Sequence, residues 1–182
     1  IPKWKLAQPF RVIAHNGEIN TIDGNVNWWN AKEKSMLKYE DEYIKDVKDT
    51  IPVCSPTLSD SGNFDGVLEF LTRTKYSLPH ALMMMIPKAW YNDNSIDQYK
   101  KDFYEYHEYM MEPWDGPASM VFTDGSVIGA TLDRNGLRPS RYVLTNDNTI
   151  ILASESGILP IPQERIVYKA NLSPGNILII DV

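Results

Sequence analysis

From residue 117 onward, short apolar runs alternate with turn-forming residues, and this pattern constrains the fold more than any other feature of the chain. Residues 118–122 (Ala-Ser-Met-Val-Phe) lead to Asp124-Gly125 and then to residues 127–132 (Val-Ile-Gly-Ala-Thr-Leu). An Asp-Gly pair adopts the left-handed backbone of a tight hairpin turn at little cost, so the flanking runs are predicted to pair as antiparallel strands. Residues 142–145 and 149–153 flank the polar Asn146, Asp147 and Asn148 in the same way, and residues 166–170 and 176–182 read as further strands. The expectation is an antiparallel meander. The stretch before it, residues 60–113, reads as helical. Asp60-Ser61-Gly62-Asn63 offers capping side chains ahead of Phe64, Val67, Leu68 and Leu71, which share one helical face. Pro79 opens a second helix. A third is expected from Ser95 or Ile96 to Met111, with Phe103, Tyr106, His107 and Met110 on its apolar face. Helices followed by strands point to an α+β fold rather than alternating βαβ units.

The first sixty residues are less regular. Residues 10–14 read as a strand, and a helix is expected over residues 25–36 after the Asp23-Gly24 turn, with Val26, Trp29 and Met36 on one face. The acidic stretch 39–49 reads as a solvated surface or a short polar helix. At 182 residues the chain fits one domain able to bury a sizeable core. Its net charge of −6 argues against a nucleic-acid or anionic-membrane footprint. Runs such as residues 81–86 are too short to span a bilayer. The single cysteine, Cys54, excludes an internal disulfide and fits a reducing compartment. The sequence opens Ile1-Pro2-Lys3-Trp4-Lys5 and stops inside an apolar run, so it reads as a piece of a longer polypeptide.

Chemistry concentrates in residues 11–21, Arg-Val-Ile-Ala-His-Asn-Gly-Glu-Ile-Asn-Thr. The apolar run ends in His15-Asn16-Gly17, which sets an amide side chain beside an unencumbered backbone N–H. Two such donors aimed at one point make an oxyanion hole. An isolated Asn-Gly is more ordinarily a turn dipeptide. Asp60 can receive an ammonium group through charge-assisted hydrogen bonds or cap the helix that follows it. His15, His80 and His107 lack metal-ligand spacing. Glu18 reads as structural or solvated, and Met83, Met84 and Met85 as core filling. Arg134, Arg138 and Arg141 flank Asn135-Gly136; ion pairing that fixes the loop is the expected role, with anion binding or domain contact as the other.

Five segments stand in one order: residues 15–21 (His-Asn-Gly-Glu-Ile-Asn-Thr), 59–65 (Ser-Asp-Ser-Gly-Asn-Phe-Asp), 78–87 (Leu-Pro-His-Ala-Leu-Met-Met-Met-Ile-Pro), 115–118 (Asp-Gly-Pro-Ala) and 133–139 (Asp-Arg-Asn-Gly-Leu-Arg-Pro). Together they resemble the class II glutamine amidotransferase domain of the glutamate synthases, across essentially the whole chain. The resemblance implies an N-terminal-nucleophile hydrolase fold, two antiparallel sheets between helical layers, with residues 1–182 forming a partial amidotransferase type 2 domain. It implies that an N-terminal cysteine attacks the side-chain amide of L-glutamine, releasing glutamate and ammonia for reductive amination of 2-oxoglutarate elsewhere in the parent enzyme. Asn16 and Gly17 match the family's oxyanion-hole residues, and Asp60 matches the aspartate that holds the glutamine α-ammonium. No cofactor is expected in this chain; FMN and an iron–sulfur cluster are implied for the parent. Implied partners are L-glutamine and the remaining synthase domains, in the cytoplasm or in a plastid of a photosynthetic eukaryote, with no nucleic acid and no membrane.

The sequence departs from the family at the nucleophile, since residue 1 is Ile1, and no residue matches the arginine that grips the glutamine α-carboxylate. Cys54 lies mid-chain without a free α-amine and is not a substitute. The 182 residues alone are therefore expected to be inactive, and to self-associate through exposed sheet edges. A non-catalytic binding or assembly module reusing the fold is the alternative, and a phosphoribosyl-type amidotransferase half is a third reading.

Overall fold

The structure is a computed structural model that describes Trp4 and residues 10–38 and 47–182. Among the described residues, the strands and longer α-helices follow in the order β1 (Ile13–Gly17), α1 (Ile22–Met36), α2 (Asp60–Thr74), α3 (Leu78–Met85), α4 (Gln98–Glu108), β2 (Ala118–Thr123), β3 (Val127–Leu132), β4 (Arg141–Thr145), β5 (Ile150–Ala153), β6 (Ile166–Asn171) and β7 (Ile177–Asp181). Every strand pair is antiparallel. One sheet has the order β1-β2-β3-β7 and the other β5-β4-β6. Apart from β1, the helices precede the antiparallel strands along the chain, as the α+β reading expected.

The two hairpins form at the expected turns, but the chain is not a simple meander. Strand β6 crosses to the side of β4 opposite β5, and β7 returns to the first sheet beside β3. Burial explains why. The strand period of two sends Ile13, Met120 and Phe122 to one face of the first sheet, where they pack with Phe64, Val67 and Leu68 of α2 and Ala81, Leu82 and Met85 of α3. Ala130, Leu132 and Leu178 point to the other face and meet Leu152 of β5 and Leu172 beyond β6. The result is helices on sheet on sheet, and β7 completes the middle layer.

Each helix has a local cause. Ser59 caps α2, its Oγ accepting the Gly62 N–H at 3.0 Å, and the anticipated residues Phe64, Val67, Leu68 and Leu71 are buried. Asp97 caps α4 by accepting from Lys100, so this helix starts two or three residues later than expected. Its buried positions are Tyr104 and His107, followed by Met111, while Tyr106 is 60% exposed; the apolar face is rotated from the one read in the sequence. Helix α1 begins at Ile22, with Asp23 and Gly24 inside its first turn, because the Thr21 hydroxyl donates to Asn25 Oδ1 at 2.6 Å and ties the start down. Of the acidic stretch, residues 39–46 lie outside the described residues and Val47–Thr50 forms a 3-10 turn. Met84 and Met85 are core residues and Met83 is half-buried. Among the described residues no helix is long and apolar enough to cross a membrane.

Candidate functional site

The first strand lies three residues later than the sequence pattern placed it, at Ile13–Gly17 rather than 10–14. The chain just before it is held by a side chain instead of a sheet. Asp65 of α2, buried in the core, accepts the N–H groups of Arg11, Val12 and Ile13 at 2.9–3.0 Å. The ladder therefore runs through His15, Asn16 and Gly17 themselves, opposite Met120, Ser119 and Ala118.

The register fixes which way the Gly17 N–H points. Thr123 donates to the Val12 carbonyl at 2.9 Å, and Glu18 donates to the Pro117 carbonyl at 3.1 Å. Antiparallel ladders alternate bonded and unbonded pairs, so the N–H groups of residues 14, 16 and 18 face β2, and those of 13, 15 and 17 face the open edge. Strand β1 is an edge strand. Along that edge, Asp65 takes the Ile13 N–H and Asp60 takes the Ile19 N–H at 2.9 Å. The Gly17 N–H lies between them with no partner among the described residues. Glycine is required at this position. Its φ is +146°, and an added Cβ would lie 1.8 Å from the Pro117 carbonyl oxygen.

Asn16 is exposed, and its side chain makes no hydrogen bond among the described residues. The sheet thus leaves one amide side chain and one neighbouring backbone N–H uncommitted, the donor pair that a developing oxyanion needs.

Asp60 is the first residue of α2 and half-buried. The cap role that competed for it falls to Ser59. Its Oδ2 accepts from Ile19 N–H, and its Oδ1 accepts the Ser61 N–H at 2.7 Å and the Ser61 hydroxyl at 3.3 Å. The carboxylate is thereby anchored two residues beyond Gly17. His15 joins the same group, with Nδ1 2.7 Å from Ser61 Oγ and Nε2 buried without a partner among the described residues. Burial pushes the His15 imidazole below its ordinary range; Asp60 opposes this and Arg138 reinforces it.

The arginine cluster does not behave as the sequence suggested. Among the described residues no carboxylate lies within ion-pair distance of Arg134, Arg138 or Arg141, and Arg141 donates to Ser156 Oγ at 3.2 Å. The loop is held from within by Asp133, which is 2% exposed. Its carboxylate accepts from Ala118 N–H at 3.1 Å, Asn135 N–H at 3.1 Å, Leu137 N–H at 3.0 Å and Arg138 N–H at 3.3 Å. Since Ala118 sits opposite Gly17, Asp133 braces the floor of the site. Glu18 is exposed and distant in role.

Cys54 is 1% exposed in the main core beside Glu33. Burial, with a smaller contribution from the Glu33 charge, pushes its thiol up to about 12. A thiolate is the reactive form, so Cys54 should resist iodoacetamide at pH 8 in the folded protein and react after denaturation; rapid alkylation of the native protein would contradict its placement. His80 and His107 meet through Nε2 atoms 2.9 Å apart. Among the described residues no group of three or more His, Cys, Asp or Glu is placed to hold a metal.

Comparison with known proteins places this geometry in a family. The sequence profile of the class II glutamine amidotransferases matches residues 1–182. The chain is 44% identical over its full length to the glutamate synthase [NADPH] large chain of Bacillus subtilis, covering 12% of that protein. It is 48% identical over 99% of its length to the NADH glutamate synthase of Schizosaccharomyces pombe, covering 8%. The chain therefore spans about a tenth of the length of the curated relatives it matches. A solved structure of glutamine phosphoribosylpyrophosphate amidotransferase from B. subtilis superimposes on 93% of this chain and 26% of that one, with 16% identity and a TM-score of 0.46. Both of these curated relatives are glutamate synthases, and the chain belongs to the class II glutamine amidotransferases.

Proposed function

We propose that this chain forms the charge-stabilising part of a glutamine-hydrolysing site that supplies ammonia within a glutamate synthase. The observation that carries the reading is the uncommitted pair of donors, Asn16 Nδ2 and Gly17 N–H, set beside an anchored carboxylate at Asp60. In this reading the side-chain carbonyl of L-glutamine lies against the two donors. Attack by a thiol then puts negative charge on that oxygen, and neither donor has to titrate to stabilise it. The α-ammonium of the substrate lies on Asp60. Cys54 is removed from consideration by its burial, so the attacking thiol comes from outside these 182 residues.

It follows that the 182 residues alone release no ammonia from L-glutamine, whereas the full-length polypeptide does. Turnover by the isolated chain that is lost in Asn16→Ala would overturn this part of the reading. In the full-length polypeptide, Asp60→Asn is expected to raise KM for glutamine about tenfold to a hundredfold, the range expected for losing a hydrogen bond to a charged group. An unchanged KM would remove Asp60 from the substrate site. The FMN and iron–sulfur cluster implied for the parent belong to the rest of the polypeptide. One buried cysteine cannot supply the set of thiolates that an iron–sulfur cluster requires. The partners on this reading are L-glutamine and the remaining synthase domains. The open edges of β1, β5, β6 and β7 would mediate self-association of the chain on its own.

A further inference from the structure

We infer that His15 and Ser61 are positioning residues: a hydrogen-bond relay from the His15 imidazole through the Ser61 hydroxyl fixes the Asp60 carboxylate for the substrate's ammonium group. The inference rests on the glutamine reading of the site and adds to it two residues that touch no substrate.

The bond directions follow from satisfying each atom. Ser61 Oγ lies 3.3 Å from Asp60 Oδ1 and donates to it. Its lone pairs are then free to accept, and His15 Nδ1 lies 2.7 Å away. With Nδ1 as the donor, Nε2 is a bare lone pair, and the structure buries Nε2 without a partner among the described residues. The opposite tautomer would bury an unpaired N–H, which folded proteins rarely tolerate. The relay therefore runs one way, from His15 Nδ1–H to Ser61 Oγ–H to Asp60. On its other oxygen Asp60 takes the Ile19 N–H at 2.9 Å. The carboxylate is thus tied to the strand on both sides of Asn16-Gly17, through His15 before the pair and Ile19 after it. The separation between the ammonium site and the oxyanion donors is set by the strand that carries the donors.

The relay requires a proton on Nδ1, and the buried Nε2 favours the neutral ring. Protonation would place an N–H at Nε2, where no acceptor lies among the described residues. Among the described residues, the charges acting on His15 are Asp60 from α2 and Arg138 from the loop after β3. Burial and Arg138 hold the ring in its neutral form against the pull of Asp60. At neutral pH the relay is intact; acid leaves the Nδ1 proton in place but drives the charged ring, with its unpaired Nε2–H, out of its buried seat and so pulls the relay apart.

The test uses the full-length polypeptide with L-glutamine. Ser61→Ala and His15→Leu should each raise KM about tenfold with kcat changed less than about threefold, since only ground-state and transition-state binding in common is lost. His15→Asn, whose side-chain NH2 can stand where Nδ1–H stood, should restore KM. Wild-type KM should be flat at neutral pH and through about 6.5, the ordinary imidazole value, and rise only at lower pH, because burial holds the His15 ring below that value, while His15→Asn stays flat across the same range. Unchanged KM in both Ser61→Ala and His15→Leu, or an acid rise retained in His15→Asn, would overturn the relay. Neutron diffraction on the wild type gives a readout independent of turnover. A proton on His15 Nδ1 supports the relay and one on Nε2 refutes it. A wild type that releases no ammonia from glutamine would sink the glutamine reading and leave the proton position to decide the relay.

Discussion

Replacing Asn16 with alanine should lower kcat for glutamine hydrolysis by the full-length polypeptide about 10²–10³-fold with little change in KM. The magnitude is that of removing one donor from an oxyanion hole, roughly 3–4 kcal/mol of barrier. The kinetic form follows from when the bond matters. In the ground state the amide oxygen carries partial charge and is bonded weakly; at the tetrahedral stage it is an anion, and the loss falls mostly on kcat. The structure makes the substitution clean. Asn16 is exposed, bonds nothing through its side chain among the described residues and contributes its backbone alone to the ladder with Ser119, so stability should change by less than about 0.5 kcal/mol. Steady-state ammonia release and thermal unfolding, run on the same preparation, separate the two effects. A parallel loss of activity and stability would assign Asn16 a structural role instead. Asn16→Asp should be at least as damaging, since it sets a negative charge where one develops.

The second large effect falls on Asp133, which touches no substrate. Asp133→Ala leaves four backbone N–H groups without their shared acceptor. Those of Asn135, Leu137 and Arg138 lie in an exposed loop and can turn to water, but Ala118 is 1% exposed and its N–H cannot. The expected cost is about 3–5 kcal/mol of local stability, from one buried unsatisfied donor at roughly 1–3 kcal/mol with the lost charged bonds added. Amide hydrogen exchange across residues 117–138, read by mass spectrometry, should accelerate at least about a hundredfold. Arg138→Ala should leave exchange there nearly unchanged, since its guanidinium has no carboxylate partner among the described residues. The reverse result would restore the ion-pair account of this loop. Because Ala118 is the register partner of Gly17, Asp133→Ala should also lower glutamine turnover, as a consequence of a displaced floor.

The parts of the fold that were legible in the sequence are those written in local chemistry. Asp124-Gly125 marks its hairpin because the turn needs that backbone, and α2 is visible because a polar cap and the spacing of Phe64, Val67, Leu68 and Leu71 are short-range facts, although the cap is Ser59 and not a residue from Asp60 onward. The path of β6 and β7 was not legible. Which edge a strand joins depends on which face of a distant strand remains uncovered, as Ala130, Leu132 and Leu178 do here. The same division holds in the site. Asn16, Gly17 and Asp60 could be named from motif order, and Asp133 carried a readable signal in Asp-Arg-Asn-Gly, an acidic residue ahead of a turn it can close. Asp65 had none. Its role is to hold three N–H groups more than fifty residues away, and that contact is what moves β1 onto the His15-Asn16-Gly17 segment. The apolar face of α4 was legible at His107 but not at its neighbours: Tyr106 and Met110 are exposed, while Tyr104 and Met111 are buried. His107 is fixed by polar pairing, its Nδ1 2.7 Å from the Phe103 carbonyl oxygen and its Nε2 2.9 Å from His80, and pairing of this kind has no hydrophobic period.

The account stands on two donors converging on one oxygen, and the structure of a tetrahedral adduct tests that most directly. In the full-length polypeptide, with an aldehyde analogue of glutamine added to the catalytic thiol, the adduct oxygen is expected within about 2.7–3.1 Å of both Asn16 Nδ2 and the Gly17 nitrogen, with the α-ammonium on Asp60. An adduct whose oxygen turns to other donors, leaving Asn16 and Gly17 beyond about 4 Å, would contradict the account.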